Sequence, residues 1–235
     1  MSITRIAGLA AAGAIALALL HLFSSHAASG LSGGRGDPLI VSGPARVIDA
    51  DTLEIEGLRI RLEGVDAPEA GQVCPTRSGR WQAGQDARRQ MTWWTAGQQV
   101  RCRIVGRDTY GRALGHCFTG DRDLNADLVE AGLAWAFVKY SQNYLAQQTR
   151  AKAARRGIWA ASCQVAWEYR NNRWADVSGR APEGCPIKGN ITRRGRIYHM
   201  PWSPWYGRTR IQPDKGERWF CNERQARAAG WRPAG

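Results

Sequence analysis

The chain has 235 residues, a length that suits one large domain or two small ones. A hydrophobic fraction of 43% and a charged fraction of 23% exclude a polytopic membrane protein and a fully disordered chain. The formal net charge of +13 rests on 33 basic residues, 29 of them arginine, against 20 acidic ones. Such an excess points to a polyanionic partner, either nucleic acid or an anionic surface.

At the N-terminus, Arg5 precedes the uncharged stretch Ile6–Leu20, and Ser25-His26-Ala27-Ala28 supplies small residues for cleavage. This predicts a secretory signal peptide over residues 1–30. Because Ile6–Phe23 sits at the lower limit for spanning a bilayer, an uncleaved anchor is the alternative. The remainder is expected to be periplasmic or secreted, or membrane-anchored if the segment is kept. Residues 31–44, rich in Gly, Ser and Pro, read as a linker.

Ala45–Ile48 and Thr52–Ile55 read as strands around the polar turn Asp49-Ala50-Asp51. Over Leu58–Glu63 the residues alternate, with Leu58, Ile60 and Leu62 on one face and Arg59, Arg61 and Glu63 on the other, as in a half-buried strand. Ala83, Ala87 and Met91 at four-residue spacing predict a helix over 79–95. Val100–Arg107 and Arg112–Phe118 form a hairpin in which Cys102 and Cys117 face each other, so a bond between them is possible. Leu124, Leu128 and Ala131 mark a short helix that stops at Gly132, and residues 144–156 a helix that ends at Gly157. Trp81, Trp93, Trp94 and Trp135 are expected in the core. Short strands with a few helices suit a small barrel carrying helices.

Charge divides the chain. Residues 46–170 hold 18 basic and 14 acidic residues, whereas residues 180–235 hold 12 and 4. Breakers at Gly179, Pro182 and Gly184 fit a linker over 171–184 between a catalytic segment, 45–170, and a small basic Cys/Trp-rich domain, 185–235. Six cysteines in an exported chain favour disulfides.

Asp51 and Asp66 are hard oxygen donors suited to Ca²⁺ or Mg²⁺. Arg61 lies between them and Arg112 follows a tight Tyr110-Gly111 step. Two guanidinium groups facing an ion can bind phosphate and stabilise charge growing on it. Glu69, ionised at neutral pH if unperturbed, can orient or deprotonate a water. Each piece alone has a plainer explanation, Asp-x-Asp being ordinary turn chemistry and a strand arginine a solvated face.

Jointly, Val47-Ile48-Asp49-Ala50-Asp51-Thr52, Arg59-Ile60-Arg61-Leu62-Glu63-Gly64-Val65-Asp66-Ala67-Pro68-Glu69, Asp108-Thr109-Tyr110-Gly111-Arg112, Leu124–Ala134 and Arg156-Gly157-Ile158-Trp159 resemble the staphylococcal nuclease family over residues 45–165. The resemblance implies an OB-fold five-stranded barrel with three helices, an α+β fold that is mainly β. It implies a monomeric Ca²⁺-dependent nuclease acting on DNA and RNA and leaving 3′-phosphate ends. Asp51 and Asp66 would be metal carboxylates, with Ala67 contributing through its carbonyl where the family often has Thr. Arg61 and Arg112 would clamp phosphate and Glu69 would be the base. Tyr110 would sit beside the substrate, and Asp49 would be a second acid near the metal. Thr109 stands where the family often has Lys. The alternative is a nuclease-like fold that holds nucleic acid or envelope polyanions without cutting.

Cys221 ahead of an Ala-rich segment ending Gly230-Trp231-Arg232 resembles the zinc-bearing N-terminal domain of the Ada DNA-repair protein over about a dozen residues. Only Cys185, His199 and Cys221 are available as soft ligands, so a Cys185–Cys221 disulfide is preferred to a zinc site. The four tryptophans and basic excess of this segment fit an accessory nucleic-acid contact, or equally a small stapled core with a solvated arginine face.

Overall fold

The computed structural model describes residues 39–109 and 111–234. The signal peptide expected over residues 1–30 and Tyr110 lie outside the described residues. Among the described residues no helix is long and apolar enough to cross a membrane.

The first half of the chain builds β1 (Ile40–Pro44), β2 (Arg46–Asp49), β3 (Thr52–Ile55), β4 (Leu58–Leu62), β5 (Val65–Asp66), β6 (Cys74–Thr76), β7 (Gly79–Trp81) and α1 (Ala83–Thr95). There follow β8 (Gln99–Arg107), β9 (Ala113–Thr119), β10 (Arg122–Asp123), α2 (Leu124–Glu130), β11 (Trp135–Ala136), α3 (Leu145–Ala153) and α4 (Ala166–Ser178). The main sheet has seven strands in the order β1-β8-β9-β4-β3-β2, with β10 on β9. It curls into an OB-like half-barrel, closed by the parallel pairing of β4 with β9. The alternation in β4 puts Ile60 and Leu62 in the core and turns Arg61 toward the site. α1 and α2 cap the sheet through Ala87, Met91, Leu124 and Leu128, all fully buried.

The five strands expected from sequence are β2, β3, β4, β8 and β9, and β1 and β10 extend the sheet beyond them. Residues 40–44 are therefore not linker: β1 runs antiparallel to β8, with Val41 opposite Cys102. The helix expected from residue 79 starts at Ala83, because residues 79–81 pair with β6. Trp94 and Trp135 are buried and Trp81 packs partly, but Trp93 is 71% exposed and is no part of the core. On α1 it lies one position from Trp94, about 100° round the helix. The segment read as a linker from residue 171 is helical through Ser178.

β12 (Ile187–Thr192) pairs antiparallel with β13 (Gly195–His199) and with β14 (Arg218–Phe220). After α5 (Glu223–Ala228), β15 (Arg232–Pro233) joins β13 in parallel. This sheet closes on Ile187, Tyr198, Phe220, Ala226 and Trp231. All six cysteines pair, as Cys74–Cys163, Cys102–Cys117 and Cys185–Cys221. Cys102 and Cys117 are direct partners across β8 and β9, as the hairpin reading places them.

Candidate active site

Asp51, Asp66 and Glu69 are linked through two arginines, and Asp49 lies within electrostatic range of Asp51 and Glu69. Asp51 sits in the β2–β3 turn, where Thr52 Oγ1 donates to its Oδ1 at 2.9 Å. Asp66 lies on β5, held by pairing with Trp135 of β11, and is fully buried. Arg61 of β4 spans the two: its Nη1 reaches Asp51 Oδ2 and its Nη2 Asp66 Oδ1, each at 2.7 Å. Residues fifteen apart in sequence thus face one point. The Ala67 amide lies 3.5 Å from Asp51 Oδ2, so the Ala67 peptide lines the same site.

Glu69 follows in a loop shaped by Gln72, whose backbone N–H donates to Glu69 O at 2.7 Å and whose Oε1 accepts from the Glu69 N–H at 3.2 Å. Gly84 lets α1 approach this loop, since a β-carbon there would collide with the Glu69 carbonyl. Asp49 accepts from the Ala50 N–H at 2.9 Å. Arg112 stands on the turn before β9, its Nε donating to Asp108 Oδ2 at 2.6 Å.

The carboxyls differ in their electrostatics. Burial alone would raise the Asp51 pKa, but Arg61, the Thr52 hydroxyl and the charges of Arg112 and Arg170 outweigh it and hold Asp51 below the ordinary range. Burial, with Glu69 and Asp51 adding like charge, raises Asp49 well above it. Burial pushes Glu69 up to about 7, opposed by Arg170 and reinforced by Asp51 and Asp66. Burial works against the Arg61 charge, and Asp51 with Asp66 more than restores it. Carboxyls of unlike protonation side by side are the arrangement that proton transfer uses.

Two residues of this site, Arg170 and Gln72, carry no signal in the sequence. Arg170, on α4, donates from Nη1 to Glu69 Oε1 at 2.8 Å and from Nη2 to Asp66 Oδ2 at 2.9 Å. More than 100 residues separate it from both carboxylates, and no local pattern links them. Gln72 depends on comparably distant chain: its Nε2 donates to Gln164 O at 2.6 Å, tying the Glu69 loop to the entry of α4.

Residues 59–161 match the family model described as "Staphylococcal nuclease homologue". The chain is 36% identical over 170 residues to "Succinoglycan biosynthesis protein ExoI" of Rhizobium meliloti, covering 71% of this chain and 85% of that one. This chain belongs to the staphylococcal nuclease family. It is also 31% identical over 159 residues to "Micrococcal nuclease" of Shigella flexneri, covering 56% of this chain and 86% of the relative. An "Uncharacterized endonuclease" of Haemophilus influenzae is 30% identical over 122 residues, covering 49% and 64%. Residues 170–233 match a second family model, ArfC. The nuclease-family match therefore contains Arg61, Asp66, Glu69 and Arg112, while Arg170 is the first residue of the second match.

The donor set bears on the Ca²⁺ that the family implies. Among the described residues no three Asp, Glu, His or Cys side chains cluster as a ready metal cage. Asp51 and Asp66 do present hard carboxylate oxygens to a shared point beside the Ala67 peptide. Two carboxylates completed by a carbonyl, water and phosphate oxygens fit an open, weak Ca²⁺ site.

Proposed function

We propose that this protein is a Ca²⁺-dependent nuclease, a phosphodiesterase that hydrolyses DNA and RNA and leaves 3′-phosphate ends. The observation that carries the reading is the convergence of Asp51, Asp66 and Glu69 on shared guanidinium groups at one mouth of the half-barrel. Asp51, Asp66 and the Ala67 carbonyl would hold the cation. When bound, it would supply charge screening of the diester and polarisation of a phosphoryl oxygen. Arg61 and Arg112 donate to the phosphoryl oxygens, and those bonds tighten as charge builds at phosphorus. Glu69 takes the proton of the attacking water at a carboxylate oxygen; as the new P–O bond forms the P–O5′ bond breaks, and the 5′-oxygen leaves as a hydroxyl with a proton from solvent. Asp49 lies within electrostatic range of Asp51 and Glu69, and Tyr110, outside the described residues, would contact the substrate if the family resemblance extends to it.

The two-part organisation read from sequence goes with this proposal: a catalytic segment over 45–170 and a small domain over 185–235, in a monomer. The second domain offers substrate a groove lined by Arg194, His199, Arg208, Arg210 and Arg232, with Trp205 half-exposed at its wall. Arginines neutralise phosphates and an exposed indole stacks on a base, which supports an accessory nucleic-acid contact there. Complete cysteine pairing supports a periplasmic or secreted location.

Digestion of plasmid DNA and of RNA by the purified chain tests the activity, with Ca²⁺, with EDTA, and with Glu69→Gln. The expected result is cutting only with Ca²⁺ and a fall of at least about 10² in rate for the variant. Full activity in EDTA overturns the metal reading, and undiminished cutting by the variant overturns the role of Glu69.

A further inference from the structure

The carboxylates assigned to the cation are already engaged by arginine. Asp66 Oδ1 accepts from Arg61 Nη2 at 2.7 Å and from Arg170 Nη1 and Nη2 at 3.1 and 3.2 Å. Asp66 Oδ2 accepts from Arg170 Nη2 at 2.9 Å, and Arg170 Nη1 continues to Glu69 Oε1 at 2.8 Å. An ionised carboxylate offers about four lone-pair sites, and at Asp66 the two arginines make four contacts. A Ca²⁺ ion needs an oxygen at roughly 2.3–2.6 Å. Seated on Asp66 with Arg170 in place, it would face a second positive charge a few ångströms away in a buried site, where repulsion is poorly screened.

Arg170 is delivered by a helix anchored on both sides. Cys163, ahead of α4, is bonded to Cys74 in the segment that follows Glu69. Ala166 is buried against Trp135 and Ile158, and Trp167 stacks on Phe137 with ring centres 5.6 Å apart. On the far side, Arg173 donates to Pro201 O at 3.2 Å and Trp174 packs at 6.3 Å from Trp202. The helix backbone is thus fixed, and the long guanidinium stem is the element free to exchange.

We propose that Arg170 and the divalent cation compete for Asp66. α4 supplies a countercharge that stands on Asp66 and Glu69 in the metal-free protein, and its departure from Asp66 admits the cation. Arg170 acts through Asp66 and sets cation affinity from outside the matched nuclease segment. The proposal rests on the nuclease reading above.

The test uses the full chain without substrate. Ca²⁺ affinity is measured by calorimetry, and thermal unfolding is followed in EDTA and in Ca²⁺, for the parent, Arg170→Gln, Arg170→Lys and, as a control at an exposed position of the same helix, Asn172→Ala. The expected result is that Arg170→Gln melts lower in EDTA and binds Ca²⁺ about tenfold or more tightly, a difference of about 1.4 kcal/mol or more. Its melting temperature also rises more with Ca²⁺ than the parent's, because a ligand that binds only the folded state stabilises according to its affinity. Arg170→Lys falls between the two, and Asn172→Ala matches the parent. Equal or weaker Ca²⁺ binding by Arg170→Gln, with the parent binding normally, overturns the competition and leaves the nuclease reading standing. If neither binds Ca²⁺, the metal reading fails and takes the proposal with it. Should Arg170→Gln not fold in EDTA, recovery of folding on adding Ca²⁺ supports the competition, and failure to recover overturns it.

Discussion

The OB-like half closes on 21 buried residues among those described, from Val47 to Tyr144, whereas the sheet of β12–β15 closes on five. The larger region is held chiefly by apolar burial, at about 25 cal/mol per Å² removed from water. The smaller one compensates with polar ties. Lys188 is buried with its Nζ donating to Tyr206 O and Thr209 O at 3.0 and 2.9 Å, and lies 4.3 Å from the Tyr206 ring centre. Glu217 is buried and accepts from the Ile191 and Gln212 N–H groups, each at 2.9 Å. A sheet built from about fifty residues has too little core to stand on burial alone, and a covalent staple commonly makes up the difference.

The largest predicted effect follows from that contrast. Cys185→Ser/Cys221→Ser removes the staple of the small sheet and is expected to cost it about 2–5 kcal/mol. Calorimetry should then show the region 185–235 melting as a separate, earlier transition. Cys102→Ala/Cys117→Ala opens a loop of only 15 residues. Strands β8 and β9 remain paired on both sides of it, so the half-barrel is expected to stay folded and to keep cutting. A single unshifted transition in the first variant, or collapse of the half-barrel in the second, breaks the contrast.

Local pattern carried much of the half-barrel and less of its surroundings. Period-two alternation exposed β4 and with it the face of Arg61, and α2 stops just before Gly132 as read; α3 ends at Ala153, ahead of Gly157, which opens a short 3₁₀ turn, and the two glycines meet in the fold. Their backbones pack against each other so closely that a β-carbon on either would collide with the other segment. β1 was hidden because Ser42, Gly43 and Pro44 have linker composition, and only pairing with β8, some sixty residues later, makes them a strand. No part of α4 was legible as a helix, because Arg170, Asn171, Asn172 and Arg173 break any apolar period. In the site, Asp51, Asp66 and Glu69 were legible as a set of motifs, since each lies in a short stretch with its own turn or strand signal. The Arg170 contact and the Cys74–Cys163 pairing were not, because both depend on where a distant helix docks.

A mid-sized effect sharpens the account of how the half-barrel is tied. Asn125 of α2 is fully buried, and its Oδ1 accepts from the Cys117 N–H at 3.1 Å. Its Nδ2 donates to Glu63 O at 2.9 Å and Gly115 O at 3.1 Å, so one side chain joins α2 to β9 and to the end of β4. Asn125→Ala removes the side-chain partner of the Cys117 N–H and of Glu63 O, while Gly115 O keeps the Glu63 N–H at 2.9 Å; the loss is expected to cost roughly 1–3 kcal/mol by urea unfolding of the half-barrel. The small sheet should keep its own transition, and an unchanged midpoint for the half-barrel would show that water or relaxation satisfies the freed groups.

The smallest effect concerns acid, and it separates the regions through one histidine in each. Burial lowers the pKa of His116 and of His199 below the ordinary 6.5. For both groups the folded form prefers the neutral ring, so their stability contribution is complete above about pH 6.5 and is lost as pH falls toward the folded-state values. The neighbours then set the difference. His116 has the Glu63 carboxylate 3.5 Å away and Asp123 in range, both favouring its protonation, against Arg103 and burial. The other electrostatic influence on His199 is the like charge of Lys188, and its Nε2 is 2.9 Å from Asn190 Oδ1. Protonation is therefore better tolerated in the half-barrel than in the small sheet. Between pH 7.5 and 5.5, urea unfolding should show the 185–235 transition weakening more, by at most about 1.4 kcal/mol per pH unit for a single group. His199→Gln should flatten that slope while leaving the half-barrel's unchanged. Glu69 of the half-barrel, pushed up to about 7, gains a proton in the same window and opposes acid weakening there; the comparison is therefore made in a Glu69→Gln background, where equal slopes would mean that the carboxylate beside His116 does not offset the cost of its burial.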